Sequence, residues 1–277
     1  MKKLITICIS LVFTVGSLCA QDKDYSEMLP QAGDIALGMD MANFITTFNN
    51  SISNSSSTDA TKAFRADIFG RYFLSTERSI RAHLAFYMNN YTDRSYITDD
   101  AGNIKTPPLG DPNVTELKAV DSHNYKYATT ELGVGYEFRR TLRRVQGYAG
   151  GEVIVGFSRL NEKFEYGNQM TSVNQTPTTA WSGWGYGNGY RPLESVGGNA
   201  WTIGAAAIVG ADFFISRNIS VGAEFAFEGR YKTTGELSYL TETWMMDKAQ
   251  KHEELSSPVT TSFYVTPRGS LSLCVYF

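Results

Sequence analysis

The sequence predicts an all-β chain folded as an eight-stranded antiparallel transmembrane β-barrel. Three observations carry that expectation. Stretches of apolar/polar alternation recur along the chain, the links between them are tight and long by turns, and the charges within them keep to one parity. Side chains of a strand point alternately to opposite faces, so each stretch has one oily face and one polar face.

The first stretch sets Ile35, Leu37, Met39 and Met41 against Ala36, Gly38, Asp40 and Ala42. The second sets Phe64, Ala66, Ile68, Gly70, Tyr72 and Leu74 against Arg65, Asp67, Phe69, Arg71 and Phe73. A tight link at Ser75–Arg78 leads to Ile80, Ala82, Leu84, Phe86 and Met88, opposite Arg81, His83, Ala85, Tyr87 and Asn89. In the fourth, Leu132, Val134, Tyr136 and Phe138 oppose Glu131, Gly133, Gly135 and Glu137. A link over Arg139–Arg144 precedes the fifth, Val145 to Ser158. The sixth, Trp201 to Ile215, has the apolar content of a buried helix. Its glycines, its β-branched residues and the Ser216–Asn218 link that follows favour a strand. Ile219 to Tyr231 forms the seventh and Thr261 to Phe277 the eighth. The remaining connections, near 44–62, 92–124, 161–199 and 233–258, read as long structureless loops. Four such loops are unusual in a soluble domain, whereas short turns on one rim and long loops on the other suit a membrane barrel.

The charges assign the faces. One parity carries Asp40, Arg65, Asp67, Arg71, Arg81, His83, Glu131, Glu137, Glu152, Asp212, Glu224, Glu228, Arg230 and Arg268, and the other is nearly free of charge. An Arg or Lys facing the bilayer midplane costs roughly 2–4 kcal/mol, so these residues must line the lumen. Gly133, Gly135, Gly150, Gly156, Gly204, Gly210 and Gly222 share the charged parity, as a crowded interior requires. Eight strands enclose only enough width for side chains to fill. The acids and arginines are therefore expected to pair as a structural plug, with a proton or ion path as the other reading.

Lys2 and Lys3, the apolar run Leu4 to Leu18 and the small residue Ala20 describe a secretory signal peptide over residues 1–20. Leu18 sits where a lipoprotein signal needs a small residue, so Cys19 is not read as a lipid anchor. Cys8 and Cys19 leave with the signal, which makes Cys274 a lone thiol. Residues 21–32 read as a short, loosely ordered periplasmic segment, and 33–277 as the barrel domain. A formal charge of −3 gives no support for nucleic-acid binding.

In the last stretch, Phe263, Val265, Leu271, Leu273 and Val275 alternate with polar residues and the chain ends on Phe277. With the export signal, this ending resembles the outer-membrane β-barrel proteins of Gram-negative bacteria, of the OmpA-membrane-domain, OmpX or opacity type. The resemblance is one of architecture. It implies a place in the cell outer membrane, with turns and termini periplasmic and long loops extracellular. It implies contact with outer-membrane lipid and with the barrel assembly machinery, and a monomer. It further implies a structural or surface-interaction, adhesin-like role, met through a surface ligand or host protein at the loops. No periplasmic domain is expected to follow the barrel.

The residue types for catalysis are sparse. Only His83, His123 and His252 are present, and Asp121, Ser122 and His123 are adjacent in sequence, which cannot aim a nucleophile and a base at each other. No metal-ligand spacing and no cofactor motif is found, and the chain is read as not an enzyme. An outer-leaflet lipid-modifying enzyme is the alternative function, and a narrow channel the third. Trp181, Trp184, Tyr186 and Tyr190 lie in a Gly-rich loop, where aromatic rings either stack on a ligand or sit in the headgroup zone. The Ser/Asn-rich 49–58 reads as a mobile loop.

Overall fold

The computed structural model describes residues 28–41, 45, 62–103, 118–181 and 190–277. The expected signal peptide, Trp184, Tyr186 and the 49–58 loop lie outside the described residues. The strands are β1 (Ile35–Asp40), β2 (Lys62–Ser75), β3 (Arg78–Thr98), β4 (Lys118–Leu142), β5 (Val145–Glu165), β6 (Arg191–Gly197), β7 (Ala200–Ser216), β8 (Ile219–Thr234), β9 (Leu237–Met245), β10 (Lys248–Ser257) and β11 (Thr260–Tyr276), with one helical turn, α1 (Asp100–Asn103), after β3. No helix among the described residues is long and apolar enough to cross a membrane.

Eight strands close a ring in the order β1-β2-β3-β4-β5-β7-β8-β11, every pairing antiparallel. They contain the eight alternating stretches of the sequence. The ring closes where Ala36 pairs with Tyr276 and Asp40 with Ser272, and the backbones of Ile35 and Phe277 exchange both hydrogen bonds. Ring closure leaves no strand edge at the join, which is what lets a sheet cross lipid.

The faces follow the predicted parity. Leu37, Ile68, Leu132, Val153, Val209, Phe225 and Leu271 are exposed on the outside. Aromatic side chains mark both ends of this band, with Phe157 tilted against Trp201 at one and Tyr136 edge-on to Phe138 at the other. Inward glycines leave room for the charged side chains that face them. A Cβ on Gly133 or Gly222 would fall on the carboxylate of Glu152 or Asp212, whereas one on the outward Gly269 meets nothing within 4 Å.

The structure corrects the expectation of structureless loops in part for the three later connections, while 46–61 of the first lies outside the described residues. β3, β4 and β5 run on past the apolar band, and β6, β9 and β10 extend their sheet outside the ring. Lys163 of β5 pairs with Glu194 of β6, β6 pairs with β9, and β9 with β10. Met246 and Asp247 both have positive φ (51° and 61°), the geometry of a two-residue hairpin turn matched to strand twist. The free edge, β10, carries Lys248, Lys251, Glu253 and Glu254, charges that discourage pairing with a second chain. Two smaller corrections concern the opposite rim. The link predicted at 139–144 shrinks to Arg143–Arg144, because β4 continues to Leu142. The lead-in is anchored from residue 28 onward, where Leu29 packs on a buried cluster of Phe69, Phe73, Phe214, Cys274 and Tyr276.

Candidate functional site

The lumen gathers the charged residues that parity assigned to it. Its tight-turn end holds the buried apolar cluster against which Leu29 packs. Above that lies a layer of arginines and acids from six different strands. Arg71 on β2 donates through Nε to Glu137 Oε1 (3.1 Å) and through Nη1 to Asp212 Oδ2 (3.2 Å), and all three side chains are without solvent exposure. Arg81 on β3 grips the Glu224 carboxylate with both terminal nitrogens and holds Glu152 Oε2 at 3.0 Å through Nε. Ser79 Oγ donates to the second oxygen of Glu137 (3.0 Å). His83 bridges Asp67 Oδ1 (2.7 Å) and Glu152 Oε1 (2.9 Å).

Arg139, which the sequence reading assigned to a link, belongs at the centre of this layer. It bonds Glu137 and Asp212 and donates through Nε to Gln146 Oε1 (2.8 Å). The signal was available, since Arg139 continues the inward parity of Glu131, Gly133, Gly135 and Glu137. The guanidinium planes of Arg71 and Arg139 both lie over the Tyr148 ring, each 4.7 Å from its centroid. The phenol hydroxyl donates to Glu224 Oε2 (3.0 Å). Planar cations stacked on a ring and forked to carboxylates meet both the desolvation and the hydrogen-bonding demands of burial. Isolated charges in this interior would cost several kcal/mol each, so the pairs hold one another in place.

Toward the long-strand end the network loosens. Arg268 Nε lies 2.7 Å from Glu228 Oε1, and Arg230 binds both Glu131 and Glu228. Arg65, with half its side chain exposed, reaches Asp67 Oδ2 at 3.3 Å. Asp40 is buried on β1 at the join. Over this layer the lumen opens into a cavity of about 500 Å³ lined by Arg65, Tyr87, Tyr127, Glu131, Arg230 and Lys232, among others.

Beyond the apolar band the inner face of the extended sheet turns aromatic. Tyr91 stacks on Tyr125 (4.8 Å between ring centres) and His123 on Phe164 (4.3 Å), with Trp181 edge-on to both partners of the second pair. Glu162 accepts a hydrogen bond from the Tyr239 hydroxyl (2.8 Å) and lies 3.8 Å from His123 Nε2. Burial pushes the Glu162 carboxyl up, but these two neighbours outweigh it and hold it below the usual carboxylate range. Trp181 thus belongs to a packed aromatic cluster, and Tyr190 is half-buried just before β6.

Asp121 anchors a neighbouring connection. Its carboxylate accepts from the Gly167 and Ala180 backbones and from Thr179 Oγ1, pinning the connection between β5 and β6. His123, with its ring between Phe164 and Tyr91, is thereby engaged separately from Asp121. Among the described residues no group of three His, Cys, Asp or Glu is placed to hold a metal ion. The Cys274 thiol is buried, with Arg71 Nη1 3.6 Å away.

A family model described as the OmpA-OmpF-like porin family matches residues 52–236. Among solved structures the chain is similar to the outer membrane protein OprG from Pseudomonas aeruginosa, at 10% sequence identity and a TM-score of 0.34, over 90% of this chain and 98% of that one. Comparison with curated proteins gives no match.

Proposed function

The chain belongs to the OmpA-OmpF-like porin family, and on that premise we propose that this outer-membrane β-barrel is closed to steady conduction and serves a structural and surface-interaction role. The observation that carries the closure is the layer in which Arg71, Arg139, Glu137 and Asp212 meet with no side-chain exposure at all. Opening a water column there would separate buried charges from their partners in a low-dielectric interior. The family's name favours a channel as the second reading. The apolar cluster beneath the charged layer counts against it, since an ion leaving the layer would still meet Phe73 and Phe214, both fully buried.

The surface role rests on what the barrel spends beyond the membrane. Six strands contribute an extended sheet outside the apolar band, with an aromatic inner face and a charged free edge. Its partner is a surface ligand or host protein, and a lipid-modifying activity has no assembled nucleophile and base to run on among the described residues. Delivery follows from the basic, apolar and small-residue pattern of residues 1–20, cleaved on export, with assembly by the machinery that folds such barrels.

Purified protein in a planar bilayer tests the closure. Rare, small openings at most are expected. Steady cation-selective conductance that disappears in Glu131→Gln would overturn it and establish the lumen as a pathway.

A further inference from the structure

We propose that the cavity above the charged layer is a binding site for a small free anionic sugar, a sugar acid or sugar phosphate, entering from the extracellular side. Its size, about 500 Å³, falls within the ~300–1,000 Å³ usual for small-molecule sites. Three features of its wall define the ligand.

Charge comes first. Four cations line the cavity, Arg65, Arg230, Lys232 and Arg268, against two acids, Glu131 and Glu228. Both acids are committed: Glu131 binds Arg230, and Glu228 binds Arg230 and Arg268. Arg65 is paired with Asp67 and Arg268 also faces Glu224, whereas Lys232 makes no ion pair among the described residues. The charge left to a ligand in the wall is therefore the Lys232 ammonium, and a carboxylate or phosphate would complete it.

Hydroxyl groups come second. Thr129 and Ser158 lie side by side on neighbouring strands, their oxygens 2.9 Å apart, with Thr202 on the next strand round. A row of groups that each donate and accept suits the vicinal hydroxyls of a sugar better than it suits an apolar molecule. Third, Tyr87 and Tyr127 form an edge-on pair in the same wall, 6.0 Å between centres, offering ring surface to the C–H face of a pyranose.

The site stands apart from the closure of the floor, since a sugar bound here never passes the Arg71 layer. Failure of the binding test would leave the conductance result untouched, and the reverse holds as well.

Calorimetric titration of the purified barrel in detergent, with glucuronate, glucose 6-phosphate, glucose and inorganic phosphate as separate probes, decides it. The two anionic sugars should bind at least about tenfold more tightly than glucose or phosphate, a difference of ~1.4 kcal/mol. Lys232→Met should remove most of that preference while leaving the circular dichroism of the barrel unchanged. Tyr127→Ala should weaken both sugar anions and spare phosphate. The proposal falls if glucose binds as well as glucuronate, if phosphate alone matches glucose 6-phosphate, if no probe binds, or if Lys232→Met changes nothing.

Discussion

Arg71 on β2 and Asp212 on β7 meet at 3.2 Å across the lumen, 141 positions apart in the chain. They lie on strands that are not neighbours in the ring, so this pair ties opposite walls together as no ladder hydrogen bond can. Removing the guanidinium takes one cation from the Asp212 and Glu137 carboxylates in a site without solvent and leaves both to Arg139. Arg71→Met should cost up to about 3–5 kcal/mol, the range for removing one partner from a buried ion pair. Reversible unfolding in lipid measures it. In the Arg71→Met, Asp212→Asn double variant the loss should be smaller than the sum of the two single losses, because both single variants lose the same Arg71–Asp212 contact. Strict additivity would mean that the pair carries no coupling.

Inward and outward glycines should respond differently to one added methyl. A Cβ on Gly222 would meet Asp212 Oδ1 and Ser272 Oγ (2.6 Å), whereas Gly269 faces open space. Gly222→Ala should destabilise by roughly 1–3 kcal/mol through overpacking. Gly269→Ala should stay within about 0.5 kcal/mol of the parent. Equal effects in the same unfolding assay would contradict the assignment of the crowded face.

Leu271 and Ser270 are adjacent and point to opposite sides of the wall, Leu271 being 56% exposed. Leu271→Arg places a charge in hydrocarbon and should cost about 2–4 kcal/mol in a bilayer. Ser270→Thr, facing the lumen, should be nearly silent. If the two variants unfold alike, the parity assignment is wrong.

How much of this was legible follows from what the membrane demands of each residue. Within the apolar band every strand must keep charge off one face, so Arg71, Glu137, Asp212 and Glu224 announce the lumen by position alone. The same rule would have placed Arg139, but Arg139, Arg140, Arg143 and Arg144 together look like a polar link. Carrying the parity of Glu137 two residues further is what marks the first of them as a lumen residue. β9 carried no such signal. Leu237–Met245 buries Tyr239, Thr241 and Thr243 on one side and leaves Leu240, Glu242 and Trp244 partly covered on the other. Outside the band neither face meets lipid, so neither must be oily. The pairings across the lumen were also out of reach, since alternation gives the face a residue occupies and nothing about which residue stands opposite.

The barrel should depend on its last three residues for assembly. Val275, Tyr276 and Phe277 supply the pairing of β11 with the start of β1, and the Tyr276 hydroxyl lies 3.0 Å from Ser220 Oγ. Deleting Val275–Phe277 opens the ring at its base and exposes the Phe73–Phe214 cluster that Tyr276 covers. The truncated chain should accumulate in the periplasm or be degraded, as cell fractionation would reveal. Insertion at the parental level would show that ring closure does not need this segment.

The extended sheet should loosen in acid before the barrel does. Glu162 lies on β5 beyond the apolar band, where burial alone would raise its carboxyl, but the Tyr239 hydroxyl and the His123 ring hold it below the usual range. A carboxyl depressed in the folded state stabilises that state above its unfolded value, ~4.3 for glutamate, and loses the contribution as pH falls through the lower folded value. The loss therefore occurs on the acid side of ~4.3 and not near neutrality. Amide hydrogen exchange should show β9 and the outer part of β5 opening as the pH drops through that window, while the ring strands keep their protection. Glu162→Gln has no charge to lose, so its β9 should be less protected at neutral pH and show little further change in acid. An acid response of β9 that is the same in the parent and in Glu162→Gln would place the switch on some other group.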